Sequence, residues 1–190
     1  MTNGADNTAQ PVPTVLRPLA LPPAHRRWIL LNAVAFAAVA NIVINAAIAV
    51  VASAGKNTIP VSGSPIPGPT LISDTCATFF FLPLLACPLV TIGVWADRRR
   101  GVLSSLTPIG WISKGIVALP RNPIVRGASV GALTVILFAP LAIAALLAVD
   151  VDHFARSGFI LYKVVLATLT GAVVTPVAAL CAMADSPEIL

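Results

Sequence analysis

Four apolar runs, residues 28–53, 75–96, 127–149 and 164–184, contain no Asp, Glu, Lys, Arg or His. A hydrocarbon core about 30 Å thick, crossed at about 1.5 Å per residue, calls for about 20 apolar residues. All four runs reach that length. In lipid the backbone of each crossing must satisfy its own hydrogen bonds, which a helix does. The chain is therefore expected to be an all-α membrane protein, with four transmembrane helices in two hairpins and a short cytoplasmic interfacial helix between them.

Only 10% of the residues are charged, against about 25% in soluble domains, so little of the chain is left for a soluble domain. The formal charge of +5 would suggest nucleic acid in a soluble protein. Here the basic residues cluster beside span ends, and no nucleic-acid partner is expected. Arg17, Arg26, Arg27, Arg98, Arg99, Arg100, Lys114, Arg121 and Arg126 fall on one side, and Lys56, Arg156 and Lys163 on the other. By the positive-inside rule the expectation is a multi-pass plasma-membrane protein with both termini cytoplasmic. Arginine in excess over lysine, with abundant Ala and Val, resembles high-GC bacterial coding.

Residues 1–24 hold five prolines among Gly, Asn, Thr and Gln with no apolar period, and read as a disordered cytoplasmic tail. Residues 25–190 read as a four-span membrane domain, with spans at about 27–54, 74–96, 127–149 and 160–184. The loop of residues 55–73 carries four prolines, which disfavour helix and favour extended chain. Thr107 and Pro108 resemble a helix start, Pro120 a stop, and Ile109, Ile112, Ile116 and Leu119 recur at helical spacing. This predicts the interfacial helix at about 108–119, with Trp111 and Lys114 at the membrane surface. Arg98, Arg99 and Arg100 just before it suit anionic lipid head groups.

Span 2 ends PLVTIGVWAD and span 4 ends PVAALCAMAD, each with proline nine residues before Asp97 or Asp185. The two segments run in the same direction, as two helical hairpins related by an axis along the membrane normal would place them.

Polar groups inside the spans are the candidate functional residues. Asn41 and Asn45 are four apart and share a face of span 1 with small residues, while Thr168, Gly171, Thr175, Ala179 and Ala182 offer a matching face on span 4. Gly127 and Gly131 form a GxxxG at the start of span 3. Pro140 and Pro176 interrupt spans 3 and 4 and release carbonyls that could line a path. Asp74, in the sequence Ser73-Asp74-Thr75, reads as the cap of span 2; Lys163 lies at the same interface, where it snorkels, pairs with Asp74 or forms a coupling or gating site with it. Asp150, Asp152 and His153 share a short loop, too few and too close for a closed metal site. Cys76, Cys87 and Cys181 show no metal or redox spacing.

With two histidines assigned to opposite sides and no nucleophile, phosphate loop or metal motif, neither catalysis nor a cofactor is expected. The expected role is a non-catalytic structural or accessory membrane component. A small oligomeric permease or channel-like transporter is the alternative. The partners expected are the bilayer itself and either a second copy or another membrane protein.

Overall fold

The structure is a computed structural model that describes residues 21–63, 69–106 and 118–185. Residues 1–20 of the expected tail and 108–117 of the expected interfacial helix lie outside the described residues. Four helices dominate: α1 Pro23–Ala52, α2 Leu71–Arg99, α3 Pro123–Ala148 and α4 Arg156–Ala184. Each is long and apolar enough to cross a bilayer, and the chain is an all-α membrane protein in that sense.

The helices outrun the charge-free runs that announced them. Charged residues mark where hydrocarbon ends, but a helix continues into the hydrated interface, where long side chains reach water. α1 thus starts at Pro23, in the first turn where proline costs no hydrogen bond, and takes in His25, Arg26 and Arg27. α2 starts one turn before the expected cap. Thr70 Oγ1 accepts from Ser73 N at 3.1 Å, while Ser73 Oγ accepts from Thr70 N at 3.0 Å. This reciprocal box replaces the cap assigned to Asp74, which sits inside the helix. Asn122 caps α3, accepting from Ile124 N and Val125 N.

α2 packs along α3 and α4, and α4 packs along α1, so the order across the bundle is α1–α4–α2–α3. Among the described residues neither α1 with α2 nor α3 with α4 packs along its length. The small residues explain the α2–α3 seam. A Cβ on Gly131 would meet the Phe80 carbonyl oxygen at 2.6 Å, and one on Gly127 the Pro83 oxygen at 2.9 Å. Thr134 Oγ1 donates to Phe79 O at 2.5 Å across the same contact.

α2 and α4 meet about an approximate two-fold axis. The shared proline and aspartate set an offset of 88 residues, which equates Asp74 with Tyr162 and Thr75 with Lys163. Asp74 bonds Lys163 and Thr75 bonds Tyr162, the exchange of partners that a two-fold axis produces. Burial follows the same offset: Leu71, Phe79, Pro83, Cys87, Thr91 and Val94 are buried, as are Phe159, Ala167, Gly171, Thr175, Ala179 and Ala182.

Burial is inverted relative to a soluble bundle. Thr75, Thr78, Thr91, Thr134 and Thr175 are buried, while Leu89, Ile136, Leu141, Leu161 and Leu169 are exposed. Where the surrounding solvent is hydrocarbon, outward leucine costs nothing and polar groups turn inward to find partners.

At the end of the bundle that holds the α2 and α4 N-termini, β1 Thr58–Pro60 pairs antiparallel with β2 His153–Ala155, Ile59 opposite Phe154. Ile59 and Val61 turn inward onto Leu71, Leu146 and Phe159. This part of the proline-rich loop is a packed ribbon, because alternating apolar residues bury one side of it. Arg156, at the ribbon's end, donates to Ser53 Oγ and Val50 O and so caps α1. The opposite end, with the α1 N-terminus, is closed by Trp28, Ile29, Val94, Leu103 and Met183.

Candidate functional site

Asp74 lies one turn into α2 and Lys163 two turns into α4, side by side because the two helices run parallel. Lys163 Nζ donates to Asp74 Oδ1 at 2.5 Å and reaches Thr78 Oγ1 at 3.4 Å. Asp74 is 9% exposed and Lys163 5%, so the pair is withdrawn from both water and lipid. An unpaired charge at such a position costs several kcal/mol, which the partner's field offsets. Beside it the Thr75 hydroxyl donates to Leu71 O at 2.7 Å, so Tyr162 donates to Thr75 at 2.6 Å. Asp74 Oδ2 is buried and has no partner among the described residues.

The pair stands at one end of a groove between α1 and α2, floored by Lys163 and Thr175 of α4. It encloses about 610 Å³. The groove exists because α1 packs on α4 and leaves its side toward α2 uncovered. Phe36, Ile44, Phe81, Leu85 and Leu89 form its rim and are exposed, so it opens sideways, toward lipid when the helices span a bilayer. At the far end Trp28 Nε1 donates to Asp97 Oδ2 at 2.8 Å and closes the space between the helices.

Of the six candidate residues, Asn41, Asn45, Asp74 and Lys163 line this one groove. Asn45 Nδ2 donates to the Asn41 backbone carbonyl at 3.0 Å, a bond within α1. The Asn41 amide lies directly over Gly171, where any Cβ would collide with it. Asn41 thus serves the α1–α4 seam and the groove together. Thr175 adds a bond across that seam to Ala33 O, within the wider π-type turn Ile29–Phe36 of α1. Such turns put carbonyls out of the regular register and free them for outside donors.

The prolines are placed otherwise. Pro140 is on the exposed face of α3, away from the groove, and its freed carbonyl lines no path there. Pro176 is half-buried and adjoins the groove only through its neighbour Thr175. Asp150, with φ of 53°, and exposed Asp152 and His153 form the turn into β2.

A second buried cluster was not singled out by the sequence. Arg126, 1% exposed, donates through Nη2 to Asp185 Oδ1 at 2.7 Å and through Nε to Pro120 O at 3.0 Å. Arg98 Nη1 donates to Asp185 O at 2.9 Å and Ala182 O at 3.2 Å. Two arginines therefore tie α2 and α3 to the end of α4. Of the triplet assigned to lipid head groups, Arg98 faces inward and Arg99 and Arg100 remain exposed. The repeat carried the available signal: Asp97 and Asp185 are equivalent, and each takes a donor from the first two turns of the preceding long helix. No protein-family model, no curated protein and no solved structure matches this chain.

Proposed function

We propose that this protein is a non-catalytic structural or accessory component of a bacterial plasma membrane. The carrying observation is how the polar groups of the spans are used. Thr134, Thr175, Lys163 and Arg126 each bond another part of the bundle, and the groove between α1 and α2 is apolar over most of its lining. A bundle that spends its polar side chains on holding four helices together supports a scaffold better than a hydrated path. The exposed apolar faces suit a second copy or another membrane protein as well as lipid.

In this reading both termini are cytoplasmic, because the arginines gather at the end of the bundle with the α1 N-terminus. The four spans are two hairpins joined through an interfacial helix at about 108–119. Arg99 and Arg100 attract anionic head groups on that side, at about 1 kcal/mol per basic residue near the surface. One observation favours the second reading, a small oligomeric permease. Asn41, Asn45, Asp74 and Lys163 all line the same groove, and polar groups converging at membrane depth are the usual mark of a substrate path.

Purification in mild detergent from the native host, with mass spectrometry of the proteins retained, separates the two. A protein partner at fixed stoichiometry is the expected result. A pure homo-oligomer that carries flux in vesicles, lost in Asn41→Leu, would replace the accessory role by transport.

A further inference from the structure

The first turns of α1 divide their residues between two faces. His25, Trp28 and Ile29 turn inward and are buried. Pro23, Arg26, Arg27, Leu30 and Leu31 stand at i, i+3, i+4, i+7 and i+8, so they share the opposite face, and all five are exposed. Together with Leu21 they line an open cleft, and Leu21 walls it by packing on the cluster around Trp28 and Met183. Among the described residues the guanidiniums of Arg26 and Arg27 reach no carboxylate and no carbonyl. The other arginines near helix ends are spent differently: Arg98 and Arg156 donate to backbone carbonyls, and Arg126 to the Asp185 carboxylate.

Helix length fixes the depth of this face. α1 has 30 residues, or about 45 Å of helix, of which about 15 Å stands outside a hydrocarbon layer of about 30 Å. Shared between two ends, that leaves about five residues at each. Pro23 to Arg27 therefore stand among head groups, while Leu30 and Leu31, 52% and 54% exposed, lie against acyl chains. A guanidinium is planar and weakly hydrated and forks onto two phosphate oxygens at once. Two such donors with two leucines one turn below them match the order of groups along a phospholipid. Arg99 and Arg100 lack this arrangement. Arg100 stands 3.5 Å from Asp97, and the residues one turn below the two arginines, Trp95 and Ala96, are half-buried.

We propose that this face binds one phospholipid of net negative charge, with its phosphate on Arg26 and Arg27 and one acyl chain along Leu30 and Leu31. The leucines select a lipid over a free phosphate ion, to which they offer nothing. The two guanidiniums select an anionic lipid over a zwitterionic one, whose own cation would be brought beside them. The proposal rests on the chain crossing a bilayer and goes beyond the accessory role, since it needs no protein partner.

The test uses the full-length protein in nanodiscs made of equal amounts of phosphatidylglycerol and phosphatidylcholine with the same acyl chains. Native mass spectrometry reads the lipid that stays bound. One phosphatidylglycerol per chain is expected, retained about thirtyfold over the choline lipid, as two basic contacts near the membrane surface give. Arg26→Gln and Arg27→Gln should each lower that preference about fivefold, and the double variant should abolish it. Arg99→Gln with Arg100→Gln should leave it within about twofold, because their attraction is diffuse. Circular dichroism should show unchanged helix content throughout, since the exposed arginines hold no other element; if the Arg26 and Arg27 double variant does not fold, the two single variants decide. Equal retention of the two lipids overturns the proposal, as does a preference that survives in folded Arg26 and Arg27 variants or follows Arg99 and Arg100 instead. Displacement of the lipid by millimolar inorganic phosphate would make the site one for the free ion and overturn the lipid assignment. Finding or missing a protein partner changes none of these readings, so this proposal and the accessory role fail separately.

Discussion

Removing either member of the Asp74–Lys163 pair leaves the other charged in a site closed to water. Lys163→Met or Asp74→Ala should each cost about 3–5 kcal/mol, read as loss of unfolding free energy in detergent. The exchange Asp74→Lys with Lys163→Asp should recover much of that loss, because it puts opposite charges back on the two facing helices. Failure of the exchange to rescue two defective single variants would show that each residue acts through other neighbours. Glycines give a sharper contrast at the same scale. Gly131→Ala drives a methyl into the Phe80 carbonyl and should destabilise by about 1–3 kcal/mol, since backbone cannot step aside as a side chain can. Gly93→Ala meets only Trp28 at 3.8 Å and should be neutral or slightly stabilising in the same unfolding assay. Spacing made Gly127 and Gly131 legible as a packing motif in the sequence. It did not say that α2 is the helix they admit.

Elements were legible to the extent that their own residues fix them. Hydropathy marks all four helices, because each must be apolar enough to cross whatever its neighbours are. The ribbon was not legible, since Thr58–Pro60 is three residues long and contains a proline. Its strand character comes from pairing with His153–Ala155, which lies nearly a hundred residues on in the sequence, and from burying Ile59. Ile59→Ala should therefore cost about 2–5 kcal/mol and loosen the ribbon, whereas Lys56→Ala on the same loop should be within about 0.5 kcal/mol. Hydrogen exchange at Val61 and Arg156, whose amides bond Asp152 O and Asn57 O, checks the site of the loosening. The cap of α2 was misplaced for a related reason. Ser73-Asp74-Thr75 has the composition of a cap, but Thr70 also does, and only the turn actually taken by the chain distinguishes them.

Across the whole molecule, the end of α4 is where the bundle is tied. Asp185 accepts Arg126 through its carboxylate and Arg98 through its carbonyl, so one residue joins three helices. Asp185→Ala should leave Arg126 buried and uncompensated, at a cost of about 3–5 kcal/mol. The accompanying readout is faster hydrogen exchange at the ends of α2, α3 and α4, with the ribbon end protected as before. Arg126→Met paired with Asp185→Leu should recover part of the stability, since an apolar pair carries no desolvation penalty. Arg126 was counted from the sequence only as a charge beside a span. Nothing in its neighbours Val125 and Gly127 reveals that it turns inward.

The sequence alone determined that four helices form and that their outer faces are apolar, because span length and charge exclusion are set by the thickness of lipid and not by tertiary contacts. It also held the offset of 88 residues between α2 and α4, legible as a repeated proline and aspartate. Tertiary structure alone decided that α1 lies against α4 rather than α2. Helix partners inside a bilayer are chosen by close fit and a few buried bonds, such as Asn41 over Gly171 and Thr175 on Ala33, with no hydrophobic pattern to announce them. The groove follows from that choice, since it is the space left where α1 turns away from its neighbour in the chain.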